Sequence, residues 1–248
     1  MRSIFQLAAM HFVTSATALW LGYYWLSVPE SRAGMLAWSA AVALFVVLAM
    51  SWGCGSGLAF FAEADDRRAV EAWRAGLRHL LPFALAVLVL ILLYWLLAAW
   101  AGYSAKPVFR IASFLTLKLR KPVRPASVQR IFDVALWLVR WMLIPVLALP
   151  VLSAVAKSGW RGFAAPGPNS KKWLYWIEAP LLLLCAVRLP LLLLHWVPRA
   201  GGFGIQVASF AARAGAAYLL FVGVWLMLAF VTSAGKPRLT QPSTVVSP

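Results

Sequence analysis

Acidic side chains are scarce in this chain: 7 Asp and Glu stand against 23 Lys and Arg in 248 residues. Charged residues of both signs make up only 12%. A soluble domain carries about 25%, so a soluble globular fold is excluded. Cysteine is almost missing as well. Cys54 and Cys185 both fall inside apolar runs, which leaves neither a disulfide framework nor a zinc-ligand spacing. Of the histidines, His11 and His195 lie near opposite ends of membrane crossings. Their placement at opposite faces of the membrane argues against a bis-histidine haem or chlorin pair within one chain, and no cofactor or metal is expected. Alternating ten-residue segments are absent too, which excludes a membrane β-barrel.

Catalytic machinery is equally sparse. The run Gly53-Cys54-Gly55-Ser56-Gly57 invites comparison with a nucleophile elbow, G-x-S-x-G, but the glycine two places before the serine would fall at Cys54. No phosphate loop, metal-ligand cluster or pair of membrane-embedded acids is found. An enzyme is not the expected reading. At the N-terminus no small-residue cleavage site follows a short apolar core, so a retained first span is expected.

What the chain has is apolar length. It is 63% hydrophobic with a mean hydropathy of +0.81, and several runs reach the roughly 20 residues that cross a bilayer. Backbone groups in lipid must be satisfied internally, which favours helices. The expectation is an all-α polytopic helical membrane bundle, one transmembrane domain over 1–232. About six spans are placed at 4–28, 34–62, 80–102, 131–156, 174–197 and 205–232. A polar tail, 233–248, has too little apolar surface to order itself; contacts of 239–246 with another surface are expected.

Two segments between spans are amphipathic. In 63–79, Val70, Trp73 and Leu77 recur at helical spacing beside four arginines and four acids. The stretch 104–130 has seven Lys and Arg and no acid. Within it Pro107 and Pro122 bracket VFRIASFLTLKLRK, where Val108, Ile111, Leu115 and Leu119 fit one helix face. A lone strand edge in lipid is untenable, so an interfacial helix is expected. The net charge of +16 sits at span ends and in loops, where it meets anionic lipid rather than nucleic acid. Lys and Arg divide eleven to nine between the two sides. The excess before the first span points to cytoplasmic termini.

The candidate site is a layer of arginines. Arg140, Arg188 and Arg213 lie eight or nine residues from the basic-loop ends of spans four, five and six. At about 1.5 Å per residue they share a depth of roughly 12–14 Å. Facing lipid, each would cost on the order of 2.5–3.5 kcal/mol. Asp133 is about 10 Å shallower than Arg140, and Glu178 is about 15 Å from Arg188. The arginines thus need an anion, a lipid headgroup, another chain's acid or freed carbonyls, unless they snorkel to the interface. Glu178, Cys185, Arg188 and His195 also share a polar stripe, either a ligand face or the bundle-facing side of a buried helix. Small residues form two packing ridges: Ala49, Gly53 and Gly57 on span two, and Ala208, Ala212 and Ala216 with Gly215 and Gly223 on span six.

The passage RAVEAWRAGLRHLLPF, residues 68–83, is a basic amphipathic lead-in to a proline-punctuated span. It resembles the pattern of bacterial six-helix membrane domains, such as the one attached to some glycerophosphodiester phosphodiesterases. The similarity covers about 63–156. It implies a membrane domain without the catalytic one, and no site residue carries over. Two functions are expected in the bacterial inner membrane: an accessory or assembly subunit with a protein partner or a second copy, or a transporter or lipid-handling protein. The second would bind an anionic group at the arginines.

Overall fold

The computed structural model describes residues 2–29, 32–62, 68–103, 105–164, 172–197 and 202–233. The tail 234–248, and with it the expected tail contacts, lies outside the described residues, as do Glu63, Asp65, Asp66 and Arg67. All described elements are helical. They are α1 (Arg2–Leu26), α2 (Ala33–Ala62), α3 (Ala69–Arg78), α4 (Leu80–Gly102), α5 (Ala105–Leu119), α6 (Pro125–Leu138), α7 (Ile144–Ser158), α8 (Tyr175–His195) and α9 (Phe203–Ser233). A π-turn, Val139–Leu143, joins α6 to α7, and a 3-10 turn, Gly159–Phe163, follows α7.

Six helical stretches are long and apolar enough to cross a membrane: Ile4–Leu26, Ala33–Ala62, Leu80–Gly102, Pro125–Phe163, Tyr175–His195 and Phe203–Ser233. Their outward faces expose large apolar side chains, among them Phe5, Trp20, Leu81 and Leu92. Such surfaces suit lipid and would aggregate in water. The chain is an all-α helical membrane bundle. The fourth crossing differs from the sequence expectation of 131–156. It starts at Pro125 and runs 39 residues, about 58 Å at helical rise. Pro125 favours this start because it occupies the first helical turn, where its missing N–H is not needed.

α2 is the hub, apolar on every side, and it touches α1, α3, α4, α7 and α9. Its GCGSG run turns a different residue to each neighbour. A β-carbon at Gly53 would sit 3.3 Å from Thr14 Cγ2 of α1, and one at Gly57 3.8 Å from Trp225 Nε1 of α9. Gly55 lies under the Phe83 ring of α4. Ser56 meets Gly76 of α3, where any β-carbon would overlap Ser56 Oγ. α3 lies on α2 through Ala69, Ala72, Trp73 and Gly76, all buried. Trp52 Nε1 donates to the Trp73 carbonyl at 2.9 Å.

The main core joins α2, α4, α7 and α9 through Leu58, Phe83, Leu152, Val155 and Ala229. A second cluster ties α8 to α7 and α9 through Tyr175, Ala179, Val146 and Leu228. α5 and α6 have their own small core of Val108, Ala112 and Val128, with Leu115 and Phe132 against it. α5 includes Pro107 in its first turn and ends before Pro122.

Candidate functional site

Two prolines set the geometry of the fourth crossing. A proline has no N–H, so in a helix it strands the carbonyl one turn back. Pro150 strands the carbonyl of Val146. That carbonyl accepts the Tyr175 hydroxyl at 2.6 Å, from the start of α8. Ahead of Pro145 the helix widens. Ile144 N–H reaches back five residues to the Val139 carbonyl, and the turn becomes π. In that register the donor due to the Arg140 carbonyl belongs to residue 145, which is proline. The Tyr94 hydroxyl of α4 takes its place at 2.5 Å. Both stranded acceptors are thus served by tyrosines from other helices. Single wide turns of this kind occur often at functional sites.

Arg140 lies on the π-turn, which packs on α8 and is bonded to Tyr94 of α4. The Arg140 side chain is half-buried, and its Nε is buried without a hydrogen-bond partner. Arg188, on α8, lays its guanidinium 5.4 Å from the centroid of the Trp137 ring, one turn before Arg140. Such a cation–π contact stabilises an exposed cation by about 0.5–1 kcal/mol and does not neutralise it. Arg188 thus lies against Trp137 at the end of α6, and Arg140 lies on the π-turn, where its carbonyl accepts from Tyr94 of α4. Among the described residues neither pairs with a carboxylate.

Arg213 has a different setting. Its Nε donates to the Ser209 carbonyl of its own helix at 3.2 Å. Its Nη1 reaches the carbonyls of Leu194, at 3.2 Å, and Trp196. These are the terminal carbonyls of α8, which have no helical donor and carry the negative end of the helix dipole. Arg213 is the C-terminal cap of α8.

The remaining polar candidates do not gather. Asp133 is exposed and accepts the Gln129 side-chain amide at 2.8 Å. Glu178 is half-buried in the first turn of α8. His195 is exposed and bonds the Leu191 carbonyl of its own helix at 2.8 Å. Cys54 and Cys185 are free thiols. Gly53 and Gly57 are buried at α2 contacts, whereas Ala212 and Gly215 are exposed, with open space where a side chain at Gly215 would stand.

Next to the π-turn lies an apolar cavity of about 270 Å³ between α4, α7, α8 and α9. Tyr94, Trp141, Pro145, Val187, Phe221 and Trp225 are among its walls. Trp141 and Val187, two of its lining residues, are the chain neighbours of Arg140 and Arg188. Its polar contributions are few. The Trp225 Nε1 is buried and unpartnered, and its ring stacks on His11 at 6.4 Å. A cavity of this volume and apolar lining has room for a stretch of hydrocarbon. Sequence reasoning missed Tyr94, Tyr175, Trp137 and the cavity. The signal for the tyrosines was there: each proline inside a span names a carbonyl that needs an outside donor. No family model matches the chain, and no characterised protein or solved structure shows similarity to it.

Proposed function

We propose that this chain is a lipid-handling protein of the inner membrane that holds an anionic amphiphile at the π-turn. The acyl chain enters the cavity between α4, α7, α8 and α9, and the phosphate or carboxylate head meets Arg140 and Arg188. The observation that carries this reading is the unpartnered Arg140 Nε on the same π-turn whose next residue, Trp141, lines an apolar cavity. An orphaned donor of this kind costs about 1–3 kcal/mol, more for a charged group, and an anion would remove the cost. Arginine suits the task because its planar fork matches phosphate and carboxylate oxygens.

The test is native mass spectrometry of protein extracted with its lipids. Wild type should retain anionic lipid over zwitterionic lipid. Arg188→Leu should lower that retention by about tenfold or more, the value of a charge-assisted bond, while Arg188→Lys should fall between. Equal retention of both lipid classes by wild type and Arg188→Leu would remove the proposal.

The other reading, an accessory or assembly subunit, has one observation in its favour. The α9 face of Ala208, Ala212, Gly215 and Gly223 is exposed in this chain, and small-residue faces let a second helix approach closely. A stoichiometric partner copurified from native membrane, and lost with Gly215→Leu, would favour it.

A further inference from the structure

The α5–α6 hairpin stands apart from the bundle. α5 packs on α6 and has no comparable contact with another helix among the described residues. Tyr94 is eight residues from the end of α4, and Arg140, bonded to it, is fifteen from the start of α6. At about 1.5 Å per residue, α4 ends about 12 Å above their shared level and α6 begins about 22 Å above it. The base of α6 and the end of α5 thus reach about 10 Å past the end of α4.

The inner face of α5, Val108, Ala112 and Leu115, is spent on α6. Its outer face is left with Phe109 at 61%, Phe114 at 61% and Leu117 at 79% exposure. Around these stand Lys106, Arg110 and Lys118, and at the hairpin turn Arg120, Lys121 and Arg124, all exposed. Lys118 Nζ lies 5.9 Å from the centroid of the Phe114 ring. The turn itself is held by Thr116 Oγ1, which accepts the Val123 N–H at 3.1 Å and donates to the Ala112 carbonyl at 2.8 Å. Arg120 occupies the left-handed region with φ 50, where glycine ends helices at least cost. Holding a non-glycine residue there costs about 1–2 kcal/mol of backbone energy.

We infer that this hairpin seats on the anionic surface of the bilayer the bundle crosses. Phe109, Phe114 and Leu117 enter the headgroup boundary while the six cations meet lipid phosphates. Exposed aromatics among cations, with no acid anywhere from 104 to 130, complement anionic headgroups on whichever face the third crossing ends. α5 follows the third crossing and α6 opens the fourth, which places α5 and the hairpin turn at that surface. The residues are separate from the π-turn, so either reading can fail alone.

The test is hydrogen–deuterium exchange on the whole protein in two nanodiscs, one of phosphatidylcholine and one of equimolar phosphatidylcholine and phosphatidylglycerol. Amides of Ala105–Leu119 should exchange more slowly in the anionic disc, and added salt should erase the difference. The Lys106→Gln, Arg110→Gln, Lys118→Gln variant should lose about fivefold of that protection per charge removed. Arg188→Leu should leave it unchanged. Equal exchange in the two discs would overturn the inference. So would protection found only in native membranes and missing from both discs, since a protein partner would then be the occupant.

Discussion

Tyr175 gives its hydroxyl proton to a carbonyl that Pro150 has left without a donor, and this pairing can be measured. Tyr175→Phe should cost about 1–3 kcal/mol, because a buried acceptor is orphaned. In a Pro150→Ala background the residue-150 N–H returns to Val146, and the same change should cost under about 1 kcal/mol. Denaturant unfolding in micelles of the four proteins gives the cycle. Equal costs in both backgrounds would show that the hydroxyl does not serve the stranded carbonyl. A second residue, His79, joins α3 to α4 and packs where a β-carbon on Gly159 would lie 2.7 Å from its Nδ1. Burial, and next the Arg78 charge, hold its pKa below the ordinary 6.5. The unfolded chain therefore binds more protons between the two values. Its contribution to stability is complete above about 6.5 and is lost as pH falls through the folded value. Thermal unfolding from about pH 8 to about pH 5 should show that loss in wild type and less of it in His79→Gln. Parallel curves would remove His79 from the account.

Among the elements, α2 is the one whose residues are most tightly specified. Gly76 of α3 touches Ser56 so closely that both the Ser56 side chain and its backbone, at 3.0–3.1 Å, would meet a new β-carbon. Moving the serine alone cannot relieve this. Gly76→Leu should destabilise the bundle by about 1–3 kcal/mol or more, whereas Gly215→Leu, on the open face of α9, should stay within about 0.5 kcal/mol. Thermal unfolding of both proteins decides it, and a larger loss at Gly215 would contradict the packing described. The Gly53 and Gly57 ridge was legible because small residues four apart on an apolar helix form a notch. The same spacing stands on α9, where no helix among the described residues fills it, so spacing alone does not say which notch is used. α5 was legible as a helix from Val108, Leu115 and Leu119. The length of α6 was not, because its first turns, 125–130, are too polar to read as a span.

At the scale of the molecule, six crossings follow from apolar length, since about 20 such residues leave few other structures possible. The site was legible only in part. Depth along a helix can be counted from its end, which grouped Arg140, Arg188 and Arg213. Rotation about each axis depends on packing, and packing sends Arg213 to the carbonyls of α8 and Arg188 onto the Trp137 ring, while Arg140 sits on the π-turn. The cavity arises from four helices meeting around a π-turn, and no single segment encodes it. The central claim is that an anionic lipid lies with its chain in that cavity. It is tested most directly by photo-crosslinking the protein in nanodiscs with a phosphatidylglycerol whose acyl chain carries a mid-chain diazirine. Adducts should map to the walls, at Leu90, Tyr94, Ile144 and Ala148, and should fall about tenfold with Arg188→Leu. Adducts confined to outward residues such as Leu81, Leu92 or Phe230, with the same yield in Arg188→Leu, would contradict it.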